Sequence, residues 1–237
     1  MSIDRRTFVA ATLASGLAAQ SVGSAEAAEA VSPFKTKDDL PTPALLVDLD
    51  AFESNIRVMV DQCKKTGCGF RPHAKTHKCP EIARRLVAAG ALGSTAATVP
   101  EVEAMVNGGV RGVLLSSPIM ERSKIARMVE LVRKGGEVML SVSHPREVEL
   151  LNEAAEAAQV ALDVLVELDV GDGRTGIAPS KAVELAQFIL KQKRLRIRGV
   201  QAYAGFASHT HGFERRAKTS RAAMTTAVET RDLIARL

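Results

Sequence analysis

Aromatic residues are scarce: they make up 3% of the 237 residues, with no Trp and one Tyr. Single-stranded nucleic-acid binding uses aromatic faces as stacking platforms, so that class of partner is disfavoured. A basic stripe of the kind that reads DNA is missing too. The formal charge is +5, but Lys and Arg are scattered among acidic residues, which gives only a mild general attraction for anions such as a phosphate-bearing cofactor. Cysteine is rare and odd in number, at Cys63, Cys68 and Cys79, so no disulfide framework is indicated. Cys63 and Cys68 could pair only in an oxidising compartment. No Gly-x-Gly-x-x-Gly follows the first strand-like run, which weakens a dinucleotide-binding reading. No apolar run is long enough for stable membrane insertion.

What is present is a globular composition, 46% apolar and 25% charged, in a chain long enough for one ordinary domain. Residues 1–30 read as an export address. Asp4-Arg5-Arg6-Thr7-Phe8-Val9 resembles a twin-arginine motif, and an Ala-rich apolar stretch runs from Val9 to about Val22. Small-residue cleavage patterns then stand at Ala25-Glu26-Ala27 and Ala28-Glu29-Ala30. The expectation is a periplasmic protein with residues 1–30 removed. Residues 31–43 form a polar, Pro-bearing linker, and 44–237 the folded domain.

Within that domain the pattern alternates. Ala44–Asp50 reads as a strand, with Asp50 placed to cap a helix over about 51–65. Extended runs are predicted at 69–74, 93–99, 110–117, 137–143, 161–170 and 195–203. Helices are predicted at about 80–89, 100–106, 121–133, 145–158, 180–191 and from 214 to the end. This is an α/β chain of about six βα units after the first strand, with parallel strands. A closed (β/α) barrel needs eight units. Alternation alone does not separate an open doubly wound sheet from part of a barrel.

Three segments carry chemistry. Arg71-Pro72-His73-Ala74-Lys75-Thr76-His77-Lys78 crowds two His and two Lys within six residues. A lysine beside other cations has its neutral, nucleophilic form favoured, which suits attack on an aldehyde. The same residue types also make an ordinary solvated basic turn, and residue types alone do not choose between the two. Glu167-Leu168-Asp169-Val170-Gly171-Asp172-Gly173-Arg174-Thr175-Gly176 is a strand running into a Gly-rich turn, where backbone can approach a ligand. Asp169 and Arg174 could equally be a surface ion pair. Gly199-Val200-Gln201-Ala202-Tyr203-Ala204-Gly205 ends a strand on the sole Tyr of the chain. His209-Thr210-His211 offers too few ligands for a metal site.

The first segment resembles the cofactor-lysine motif R-P-H-x-K-T-H-K of the D-threonine aldolase / D-serine dehydratase family, which groups with the alanine-racemase-type barrels. The second and third resemble the arginine loop and the G-x-Q-x-Y-x-G strand end of the same family, with Ala204 where His is common. The resemblance implies a pyridoxal-phosphate-binding, TIM-type (β/α) barrel like the alanine racemase N-terminal domain, incomplete in this chain. It implies Lys75 as the amine that condenses with the cofactor, and Arg174, Tyr203 and His73 as further cofactor-binding residues. The expected activity is a lyase acting on β-hydroxy-D-amino acids, by retro-aldol cleavage or by dehydration. Racemization and non-catalytic cofactor binding remain as alternatives. The resemblance also implies two further barrel strands, a β-rich C-terminal domain, a divalent metal (Mn or Zn) held by ligands outside this chain, and a homodimer at full length. On that basis these residues are expected to be a fragment or a truncated reading of a longer protein.

Overall fold

The computed structural model describes residues 34–237. The expected export address and the first residues of the expected linker lie outside the described residues. The described residues form five strands: β1 (Ser94–Ala96), β2 (Val113–Leu115), β3 (Val138–Val142), β4 (Leu162–Leu168) and β5 (Leu195–Ala202). Eight helices flank them among the described residues: α1 (Leu49–Thr66), α2 (Pro80–Ala88), α3 (Val99–Asn107), α4 (Arg122–Arg133), α5 (Pro145–Ala157), α6 (Pro179–Leu190), the short α7 (Gly205–Ser208) and α8 (Phe213–Ile234).

Local chemistry sets the helix starts. Thr98 Oγ1 accepts the Glu101 N–H at 3.4 Å at the head of α3, and His144 Nδ1 accepts the Arg146 N–H at 3.0 Å at the head of α5. Pro stands in the first turn of α2, α3, α5 and α6, where its missing N–H has no intrahelical partner to lose.

The sheet order is β1-β2-β3-β4-β5, with every neighbouring pair parallel. Open doubly wound sheets reverse their strand order at a switch point. This one never reverses, so each βα unit adds on the same side, as in a (β/α) barrel. The order settles the ambiguity that alternation left open, in favour of an incomplete barrel. The predicted run at 69–74 forms no regular strand. It lies alongside β1 through a parallel bridge, His73 to Thr95, with Thr95 N donating to Pro72 O at 2.8 Å. Pro72 has no N–H to extend the ladder.

One face of the sheet is a dry core. Leu162, Val164, Val166 and Leu168 of β4 are at most 1% exposed. They join a cluster with Met105, Ile125, Met128, Val148, Leu151 and Ile189 from the helices. The other face is the barrel's inner side, and it is polar at both ends.

The first predicted strand is corrected. Residues 44–48 are extended but unpaired, with Leu45 99% exposed. A strand needs a neighbour for its N–H and C=O groups, and the described residues provide none there. Helix α1 starts earlier than expected: Asp48, not Asp50, caps it, accepting the Ala51 N–H at 2.9 Å. Its buried residue is Ile56. The three cysteines are free thiols.

Candidate active site

The C-terminal ends of the strands surround a cavity of about 530 Å³. The residues that the sequence singled out meet there: His73, Lys75, Arg174 and Tyr203 all line it, with Arg71, Thr95, Ser116, Thr175 and Gln201. No carboxylate is among its lining residues.

Lys75 comes from a turn of 3-10 helix, Ala74–Thr76, that directly follows the bridged run. His73 caps this turn, its Nδ1 accepting the Lys75 N–H at 3.3 Å. Ala74 is fully buried and anchors the turn, while Lys75 projects outward. At the far end of the motif, Lys78 takes a positive φ of 49°, unusual for a side chain with a Cβ. Its N–H donates to Ala74 O at 2.7 Å and its Nζ lies 3.3 Å from Glu101 Oε1. The second oxygen of Glu101 accepts the Ala97 N–H at 2.8 Å. Glu101 thus ties the end of the lysine motif to the end of β1.

The Arg174 loop is braced from three directions. Asp169 does not pair with Arg174. Its Oδ1 accepts the backbone N–H of Gly171 at 2.9 Å and of Gly173 at 3.1 Å, which holds its pKa below the usual carboxylate value. Glu167, 2% exposed, accepts the Thr175 hydroxyl at 2.7 Å. Asp172 accepts the Phe206 N–H at 3.0 Å, which joins this loop to the helix after Tyr203. Gly176, at φ +107°, closes the loop where a Cβ would sit 2.5 Å from Asp169 N; no side chain fits there.

Two cations converge on one ring. The Arg174 guanidinium carbon lies 4.6 Å from the Tyr203 ring centroid, and Lys75 Nζ lies 5.9 Å from it. Both are within cation–π reach. The single Tyr therefore links the lysine turn to the arginine loop.

The histidines of the motif are held toward neutrality. Burial lowers the pKa of His73, and the Lys75 charge lowers it further, against a smaller opposing pull from Glu101. Burial also lowers His77, whose Nδ1 accepts the Cys79 N–H at 3.0 Å and whose buried Nε2 has no partner among the described residues. His77 is absent from the cavity lining. Burial also lowers Arg71, which donates to Gly112 O.

Ser116 and Thr95 carry no signal in the sequence beyond their positions near strand ends, and Glu167, Thr175 and Gln201 stand there only as members of the quoted segments. His209 and His211 line no part of the cavity. Among the described residues, no group of three or more His, Cys, Asp or Glu side chains could hold a metal ion.

Comparisons with known proteins agree with this geometry. Residues 47–235 match the family described as "Alanine racemase, N-terminal domain". The chain is 36% identical over 183 residues to a D-threonine aldolase from Arthrobacter sp., covering 77% of this chain and 48% of that one. It is 34% identical over 186 residues to a 3-hydroxy-D-aspartate aldolase from Paracoccus denitrificans, covering 78% and 48%. Its fold superimposes on the crystal structure of D-threonine aldolase from Filomicrobium marinum with a TM-score of 0.79, at 36% identity, covering 82% of this chain and 53% of that one. D-threo-3-hydroxyaspartate dehydratase from Delftia sp. HT23 follows with a TM-score of 0.72 at 26% identity, covering 81% and 52%. The chain spans about half the length of the curated relatives it matches. Strand order, the convergence of Lys75 with Arg174 on Tyr203, and the match over 47–235 place this chain in the alanine racemase N-terminal domain family.

Proposed function

We propose that this chain supplies the cofactor-binding part of a pyridoxal-phosphate-dependent lyase that cleaves β-hydroxy-D-amino acids to glycine and an aldehyde, as a D-threonine aldolase does. The observation that carries the reading is the pair of cations, Lys75 and Arg174, set against Tyr203 in a cavity whose lining has no carboxylate. The identity to named aldolases supports it.

The residues present fit the cofactor. The cavity volume falls within the range of about 300–1,000 Å³ usual for small-molecule sites. Arg71, Lys75 and Arg174 give it a positive lining, which matches a phosphate-bearing anion. Tyr203 offers a flat face, and Lys75 a primary amine exposed to the cavity. When bound, pyridoxal phosphate supplies an aldehyde for an amine to condense with and a ring that draws electrons from a bond broken at the substrate α-carbon.

The chain's own residues do the rest. Lys75 would provide the amine that holds the cofactor, and its Nζ could hold a proton within the cavity. Arg174 would keep a permanent positive charge at the cavity wall. Tyr203 keeps both cations in register and covers one side of the cavity. His73, held neutral, adds no charge that would repel the two cations. The divalent metal (Mn or Zn) that the resemblance implies is assigned to no residue of this chain.

A second reading, dehydration to a keto acid and ammonia, is favoured by the likeness to the Delftia dehydratase. The two reactions share their first steps, so the same residues serve both. We also infer export through residues 1–30 and a homodimer of the full-length protein. The sequence pattern of Arg5-Arg6 and the apolar run supports the first; a signal-dependent reporter fusion and light scattering test the two.

The decisive experiment incubates intact protein and pyridoxal phosphate with D-threonine, D-serine and D-3-hydroxyaspartate, with and without manganese. Glycine plus an aldehyde is the expected product. Keto acid plus ammonia selects the dehydratase. Failure of borohydride to fix the cofactor on Lys75, together with no product, removes the reading.

A further inference from the structure

Ser116, just beyond the end of β2, is pinned from two sides. Its backbone N–H donates to Ala96 O at 3.0 Å, and its hydroxyl donates to the same carbonyl at 3.1 Å. Its own carbonyl accepts Gln201 Nε2 at 3.1 Å, reaching from β5 to β2. With its proton committed to Ala96, the hydroxyl presents a lone pair to His73 Nε2, 3.5 Å away.

At the other end of the same imidazole, Nδ1 accepts the Lys75 N–H at 3.3 Å. A ring nitrogen that accepts a hydrogen bond carries no proton, so a neutral His73 carries its proton on Nε2. The two contacts agree on one tautomer and one ring orientation. Each is long for a hydrogen bond. The χ2 wells of an imidazole are broad; the two long contacts at its opposite ends restrain the ring, with the Thr95 backbone beside it. His73 is also the cap of the turn that presents Lys75.

We infer that Ser116 is a positioning residue: by accepting from His73 Nε2–H it keeps His73 Nδ1 on the Lys75 amide, and so fixes the direction in which the Lys75 side chain leaves its turn. The inference rests on the reading of Lys75 as the cofactor-binding amine. It assigns to a strand-end serine, which has no reacting atom of its own, control over the amine across two hydrogen bonds.

The test compares intact wild-type protein with Ser116→Ala and Ser116→Thr. Nitrogen NMR of the cofactor-free wild type should show His73 as the Nε2–H tautomer. In Ser116→Ala the tautomers should mix, and Lys75 amide exchange should quicken by about fivefold, the effect of one ordinary hydrogen bond. Uptake of pyridoxal phosphate, read as visible absorbance, should slow by about the same factor on the same ground. Ser116→Thr, which keeps the hydroxyl, should restore all three. Ser116→Cys, nearly isosteric but a weak acceptor, replaces the Ala variant if that one folds poorly. An unchanged tautomer and unchanged Lys75 exchange in these variants overturn the inference. If the wild type takes up no cofactor at all, the functional reading fails, while the tautomer and exchange measurements still decide the role of Ser116.

Discussion

The two ends of the barrel's inner face carry similar cations in different company. At the C-terminal ends of the strands, Lys75 and Arg174 face a cavity with no carboxylate in its lining and lean on an aromatic ring. At the opposite end, Arg196 and Arg198 share a hollow with Asp163 and Glu137, and Arg71 borders both this hollow and the cavity. There Arg196 Nε lies 2.7 Å from Asp163 Oδ1 and Arg198 Nε 3.7 Å from Oδ2. A cation that its own chain neutralises is structural. Arg174 Nε keeps only a loose contact, 4.0 Å from Asp172 Oδ2, and a cation held that loosely beside a built cavity is available to an anionic ligand. The two ends differ in degree: close carboxylate contacts at one, a distant one at the other.

The strongest way to break the comparison is Lys75→Ala. It should abolish borohydride-fixed cofactor and lower activity on the order of a thousandfold or more, as loss of a nucleophile does. Its thermal stability should stay close to wild type, because Lys75 is exposed. Retained fixation at another residue would put the binding end elsewhere. Next in size, Arg174→Ala should cost roughly a hundredfold in kcat, the low end of the range for losing an electrostatic contact to developing charge. Circular dichroism should show no loss of fold, since Asp169, Glu167 and Asp172 brace the loop without Arg174.

Asp163→Asn sharpens the same contrast from the other end. Cofactor uptake should be unchanged, and stability should fall by about 0.5–1 kcal/mol, because the pair is partly exposed. A change in uptake with unchanged stability would reverse the assignment of the two ends. The smallest effect concerns pH. The folded pKa values of His73 and His77 lie below their ordinary 6.5. The unfolded chain therefore binds these protons first as the solution is acidified. Stability from these groups is present above about pH 6.5 and is lost as pH falls through the folded values. Denaturant midpoints across that window should decline in wild type and decline less in His73→Gln and His77→Gln.

Much of the α/β pattern was legible because periodicity and punctuation agree. Helices α2, α3, α5 and α6 have Pro in their first turn and end near the expected positions, as in α5 at Pro145–Ala157, whereas the short α7 was not expected. The run at 44–50 was not legible. Its short apolar run is that of a strand, but pairing is a property of neighbours, and Leu45 and Leu46 find none among the described residues. The site divides in the same way. Lys75, Arg174 and Tyr203 stand out by type and motif. Gln201 stands in the same motif as Tyr203, but Ser116 and Thr175 do not stand out, because Ser and Thr are common and their importance lies in what they touch. Asp169 and Arg174, a plausible ion pair by spacing, make separate contacts because the tight glycine turn offers its own N–H groups to the carboxylate.

The sequence by itself determined the local choices: where helices start, which faces are apolar, and which side chains have the chemistry to bind an aldehyde-bearing anion. Those follow from propensity, capping and side-chain type, which act over a few residues. The tertiary structure decided the order of the strands, the meeting of Lys75 and Arg174 on one ring, and the choice of which cations sit close to a carboxylate. Those depend on contacts between residues far apart in the chain, such as Gln201 with Ser116, and only the folded sheet brings them together.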